Sequence, residues 1–123
     1  MVKLDILSDP ICPWCYIGKA NLDRALSQRP DHELAIEWHP FQLNPDMPDE
    51  GMDRRTYLET KFGGKERAVT VYAQIQQAAK EAGLDVDFGA IKRTPNTIDA
   101  HRLIHWAGVE GRQTAGVSRL FKA

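Results

Sequence analysis

Long apolar runs are missing from this chain. Nowhere do the roughly 20 consecutive apolar residues needed to cross a bilayer occur. The opening MVKLDILSDP alternates in polarity and lacks the apolar stretch and small-residue cleavage site of a secretory leader. The expectation is a cytoplasmic protein with no membrane partner. Charge of one sign is lacking too: 16 basic against 17 acidic residues leave a net of -1. With no basic patch interleaved with aromatics, nucleic acid is not an expected partner. Cysteine is scarce, with two in the whole chain. Cys12 and Cys15 lie too close in sequence to staple distant segments, so a disulfide-rich secreted scaffold is excluded. Two cysteines this near each other point to redox chemistry or a metal. Repeats and low-complexity tracts are absent. What remains is a globular composition, 42% apolar and 27% charged over 123 residues, enough for one ordinary domain.

Val2, Leu4 and Ile6 alternate with Lys3 and Asp5, and Leu7 follows, which predicts a strand. Ser8-Asp9-Pro10 signals a turn, and from Cys12 the residues Cys15, Gly18, Leu22, Ala25 and Leu26 recur at helical spacing until Pro30-Asp31. Leu34, Ile36 and Trp38 alternate into a second strand ending at His39. A helical crossover between two strands implies parallel pairing, hence a βαβ unit over residues 1–45. The loop from His39 to Gly51 holds Pro40, Pro45 and Pro48, and residues 46–123 then read as a helical domain. Asp53 caps a short helix closed by Gly63-Gly64. Ala68, Val71, Tyr72, Ile75, Ala78, Ala79 and Ala82 form an amphipathic stripe ended by Gly83, with Gln74, Gln76, Lys80 and Glu81 toward solvent and Tyr72 as a packing residue. Asn96 is expected to cap a further helix whose inner face is Ala100, Leu103, Ile104 and Ala107, and a last helix starts near Arg112 with Val117, Leu120 and Phe121 on its apolar side.

Disulfide exchange needs a thiolate nucleophile and a second thiol near enough to resolve the mixed disulfide. Cys12-Pro13-Trp14-Cys15, directly after a strand and at a helix start, meets both demands. Cys12 falls at the helix mouth, where unpaired N–H groups and the positive end of the dipole favour negative charge, and Cys15 lies one turn in on the same side. Such motifs lower the attacking cysteine to between about 3.5 and 7.5. Pro13 suits the first helical position, which needs no N–H donor. Trp14 either contributes to a substrate surface or covers the sulfurs. The rival from another class is a dithiol binding module, either a redox sensor or a zinc site in which His101 and His105, four apart on one helix, join Cys12 and Cys15.

Three blocks in order, Asp9-Pro10-Ile11-Cys12-Pro13-Trp14-Cys15-Tyr16-Ile17-Gly18, then Trp38-His39-Pro40-Phe41-Gln42-Leu43-Asn44-Pro45, then Pro95-Asn96-Thr97-Ile98-Asp99-Ala100-His101-Arg102-Leu103, resemble the FrnE-like branch of the DsbA oxidoreductases. The resemblance spans the whole chain. It implies an α/β, thioredoxin-like fold interrupted by an all-helical insertion, with Cys12 as exposed nucleophile, Cys15 as resolving thiol, and Pro95 and Asn96 lining the cleft near the dithiol. It also implies thiol–disulfide oxidoreductase or isomerase activity on protein or small-molecule disulfides, with no cofactor besides the redox dithiol and no metal. Kappa-class glutathione transferases and related isomerases of the same superfamily carry serine in place of the nucleophilic cysteine. Both cysteines here favour redox chemistry, and glutathione is a candidate cofactor only through that alternative branch. Family members continue into a second half of the thioredoxin sheet, with a cis-proline loop after a Val-Pro pattern that none of the seven prolines here follows. The chain therefore reads as an N-terminal portion, with an open sheet edge through which it is expected to be unstable alone or to pair as a homodimer.

Overall fold

The computed structural model describes residues 2–123. In chain order the elements are β1 (Val2–Ser8), α1 (Pro13–Gln28), β2 (Leu34–Pro40), β3 (Met52–Asp53), α2 (Arg54–Phe62), α3 (Lys65–Glu81), a 3-10 turn (Phe88–Ala90), β4 (Arg93–Thr94), α4 (Ile98–Val109) and α5 (Gln113–Lys122). They form two compact units. One holds the residues up to Pro45 together with Thr97–Ala123, and the other is Asp46–Asn96.

The first unit is built on the expected βαβ. β1 and β2 pair in parallel, Val2 opposite Leu34 through Ser8 opposite Pro40. Because side chains alternate along a strand, Leu4 and Ile6 share one face with Ile36 and Trp38, while Lys3 and Asp5 share the other with Glu37 and His39. The charged face carries its own pairs, Lys3 Nζ to Glu37 Oε2 at 2.9 Å and His39 Nε2 to Asp5 Oδ1 at 3.0 Å. Pro13 at the first helical position starts α1, and Arg29, just before Pro30, ends it.

The apolar face of this pair is covered from an unexpected quarter. A single helical domain over 46–123 does not hold, because α4 and α5 pack on β2 and on each other and belong to the first unit. Trp38 forms a buried cluster with Ile104, Val117 and Phe121, against which Ile6, Ile36, Cys15, Tyr16 and Leu120 pack. Tyr16 stacks on Phe121 with ring centroids 5.1 Å apart. A spacing rule reads each helix alone and could not reveal that an apolar sheet face more than half the chain away needed cover. The inner face of α4 also differs from expectation: His101 and Ile104 are buried, whereas Leu103 is 55% exposed. The N-cap position is Thr97, not Asn96, and the Asn96 side-chain amide donates to the Met47 carbonyl at 2.7 Å.

The Gln113 side chain donates to the Trp38 carbonyl at 3.1 Å and accepts from the Trp38 N–H at 2.8 Å, as a neighbouring strand would. It thereby closes the outer edge of β2 at that point. Among the described residues no strand pairs with the other edge of β1.

In the second unit, β3 and β4 form a short antiparallel ladder, Met52 opposite Thr94 and Asp53 opposite Arg93. Two-residue strands carry no periodicity, so spacing alone does not reveal them. Asp53 caps α2 by accepting from the Thr56 N–H at 3.1 Å. α3 buries Ala68, Ile75 and Ala79 while Gln74, Gln76, Lys80 and Glu81 face outward. Tyr72 packs edge-on between Phe62 and Phe88, with the Arg54 guanidinium 4.8 Å from its ring centre.

Two glycines of this unit distinguish backbone conformation from crowding. Gly51 and Gly63 both sit at φ 78°, where a side chain costs about 1–2 kcal/mol. A Cβ on Gly51 would also stand 2.7 Å from the Thr94 carbonyl oxygen, whereas one on Gly63 would meet only the flexible Arg67 side chain at 3.7 Å. Gly51→Ala should therefore destabilise clearly more than Gly63→Ala in urea titrations. Equal losses would show that the turn yields without cost.

Candidate active site at the start of the first helix

Cys12 is the N-cap residue of α1, with extended backbone at φ -83° and ψ 114°. Its N–H donates to the Asp9 carbonyl at 3.0 Å, and its own carbonyl accepts from Cys15 and Tyr16 at 3.1 and 3.2 Å. The turn is thus closed on both sides of the cysteine, and Pro13 enters the helix where a missing N–H does no harm. Both cysteines are half-buried. Trp14, between them, is 51% exposed, which places it on the surface beside the sulfurs.

The neutral Cys12 thiol makes no capping hydrogen bond. The peptide groups of Cys15 and Trp14 nevertheless favour negative charge on it, and those of Asp9 favour it on Cys15. Ser8 Oγ is buried without a partner, yet lies close enough to Cys15 to favour the thiolate there. The strongest influence on either sulfur is the hydrogen bond between them, which drives Cys15 down to about 6 and pushes Cys12 up. One proton is shared along that bond, so the pair releases its first proton readily and holds the second tightly. Burial opposes ionisation of both. No acidic side chain occupies the first turn of α1. Lys19, one turn beyond Cys15 and buried, spends its charge on Asp23 at 2.6 Å.

One residue that spacing did not single out for the site acts on Cys15, and it pairs with His101. Asp9, from the turn after β1, is 1% exposed, and its Oδ1 lies 3.6 Å from Nε2 of buried His101 on α4. Asp9 belongs to the turn signal and His101 to the suggested zinc set, so both were visible, but only the docking of α4 in this unit brings them together. The four-ligand zinc set is not assembled. Among the described residues, the side chains of ligating type that converge in a group of three are Asp5, Glu37 and His39 on the charged strand face. His105 is exposed. Pro95 and Asn96 lie in the second unit, where Asn96 bonds Met47 and a Cβ on Gly51 would touch Pro95. Their place near the sulfurs rests on the family resemblance alone.

If the shared proton sets the ionisation of the pair, thiolate absorbance should rise by one equivalent around pH 6 and show no second step before pH 9. Cys12→Ala removes the donor and should move the Cys15 midpoint up toward that of an ordinary thiol, and Cys12→Ser should move it less. Two equal steps in the unmodified protein would refute a shared proton.

A protein-family model described as the DSBA-like thioredoxin domain matches residues 3–123. The chain is 30% identical to a probable DsbA oxidoreductase from Streptomyces coelicolor, whose crystal structure superposes with a TM-score of 0.83 over 99% of this chain and 53% of the other. It is also 25% identical over 122 residues to the uncharacterized protein YwbO of Bacillus subtilis, covering 99% of this chain and 56% of that one. The chain thus spans about half the length of the relatives it matches. With the dithiol at its helix start, the chain belongs to the DSBA-like thioredoxin domain family.

Proposed function

We propose that the protein is a thiol–disulfide oxidoreductase of the FrnE-like branch, in which Cys12 attacks a substrate disulfide and Cys15 resolves the mixed disulfide. The observation that supports this reading is a half-buried Cys12–Cys15 pair, hydrogen-bonded to each other at the N-terminus of α1. A pair that forms one thiolate easily is a nucleophile near neutral pH, and the second thiol one turn away keeps the intermediate short-lived. The hydrogen bond between the thiols puts the first negative charge on Cys15; attack from Cys12 rests instead on its position at the helix mouth, where the Trp14 and Cys15 peptide groups favour charge on its sulfur. Once Cys12 is consumed in the mixed disulfide, the remaining sulfur is Cys15.

Substrates are protein or small-molecule disulfides, with Trp14 as part of the docking surface. Direction follows the compartment, since 30 mV is worth about 1.4 kcal/mol for this two-electron couple. In a reducing cytoplasm the site works as a reductase or isomerase. Among the described residues no helix is long and apolar enough to cross a membrane.

Insulin reduction by the complete protein with a thiol donor tests the reading. Cys12→Ser should lower turnover by at least a hundredfold. Cys15→Ser should accumulate mixed disulfides with substrate, and alkylation at neutral pH should label Cys12 first. Absence of turnover together with stoichiometric zinc retained under reducing conditions would replace the enzyme with a metal-binding module.

A further inference from the structure

The outer edge of β2 is only partly closed, and the open part lies in a cleft. Peptide groups of alternate residues in a strand point to opposite edges. The Glu33 carbonyl accepts from the Val2 N–H at 2.8 Å, on the β1 side, while Trp38 meets the Gln113 side chain on the other. Leu34 and Ile36 are in step with Trp38, so their peptide groups also face outward. The Leu34 N–H donates to His32 Nδ1 at 3.2 Å. Among the described residues nothing pairs with the N–H or the carbonyl of Ile36.

Free N–H and C=O groups along an edge recruit another strand, and folded proteins blunt or cover them for that reason. Here they stay accessible, because Ile36 lines a cleft of about 700 Å³ bounded by the corner between α4 and α5. Gln113, which lines the same cleft, shows what this edge accepts. Its amide makes both bonds of a neighbouring peptide group at Trp38, and the next such position, at Ile36, is free. Val109, 63% exposed, adds apolar surface on the α4 side.

Two permanently charged residues line the cleft, and only one is balanced. The Glu37 carboxylate pairs with Lys3 Nζ at 2.9 Å. Arg112 has no carboxylate within ion-pair distance among the described residues. The uncompensated charge is therefore positive and favours an anionic occupant. A cleft of this volume holds a short extended segment and not the face of a folded domain.

We propose that this cleft binds an extended, carboxylate-bearing peptide segment of a partner protein, which adds to the outer edge of β2 through the N–H and carbonyl of Ile36. The peptide's carboxylate lies toward Arg112, and an alternate side chain rests on Val109. Backbone pairing supplies affinity, and the carboxylate supplies selectivity. None of these residues belongs to the dithiol, so docking here does not depend on disulfide exchange.

The test adds an acetylated peptide of alternating valine and threonine, with a free C-terminal carboxylate, to the complete protein and follows amide signals by NMR. Saturating peptide should slow hydrogen exchange of the Ile36 N–H at least tenfold and shift Ile36, Val109 and Arg112, leaving Cys12 and Trp14 unmoved. N-methylating the peptide amides one at a time should weaken binding at least tenfold at the amide that donates to the Ile36 carbonyl. Arg112→Glu should weaken the free acid at least tenfold and leave the C-terminally amidated peptide within twofold. Where that variant does not fold, the N-methyl series decides. No binding, or equal binding by every N-methylated peptide, overturns the inference. Shifts at Cys12 and Trp14 in place of Ile36 overturn it too, since the peptide then sits on the dithiol surface and the exchange reading stands. Protection of Ile36 before any peptide is added shows the edge already covered, by a second copy if the mass is that of a dimer, and likewise overturns it.

Discussion

The contact on which the first unit depends is that between Trp38 and α5. Its indole is buried with Ile104, Val117 and Phe121, its Nε1 donates to Thr114 Oγ1 at 3.2 Å, and its backbone is paired to the Gln113 side chain. A parallel two-stranded sheet is not stable by itself, because both faces of its strands need cover. Trp38 recruits that cover from the far end of the chain. Burial of a large aromatic supplies the attraction, and three directed hydrogen bonds supply the orientation.

The dithiol inherits its surroundings from the same contact. Phe121 stacks on Tyr16, the residue after Cys15, and Cys15 itself packs against the cluster. Half-burial of the sulfurs raises the cost of charge there, so the hydrogen bond between them and the nearby peptide groups have more effect than they would in water. α4, held on β2 beside Trp38, carries His101 to Asp9. Packing and chemistry thus share one scaffold, and a loss at Trp38 would reach the sulfurs without touching them.

The second unit is built differently. Its ladder is two residues long on each side, and its order rests on α2, α3 and the aromatic stack around Tyr72. Gly51 allows the β3 side to press against the Thr94 carbonyl, a closeness that any side chain would prevent.

Local patterns in the sequence determined a good deal by themselves: both main strands, the helix starting at Cys12-Pro13, the cap at Asp53, the stop at Gly63 and the solvent face of α3. Each depends on neighbours within a turn or two, where periodicity, capping and glycine's free φ act directly. The dithiol was legible for the same reason, since its chemistry needs only two sulfurs and a helix start. The tertiary structure decided which unit α4 and α5 join, which face of α4 is buried, and that Asp9 meets His101. Those outcomes turn on contacts between residues more than 60 positions apart, such as Trp38 with Ile104 and with Gln113. No local spacing encodes such a contact, because it forms only when separate apolar faces find each other in the folded chain.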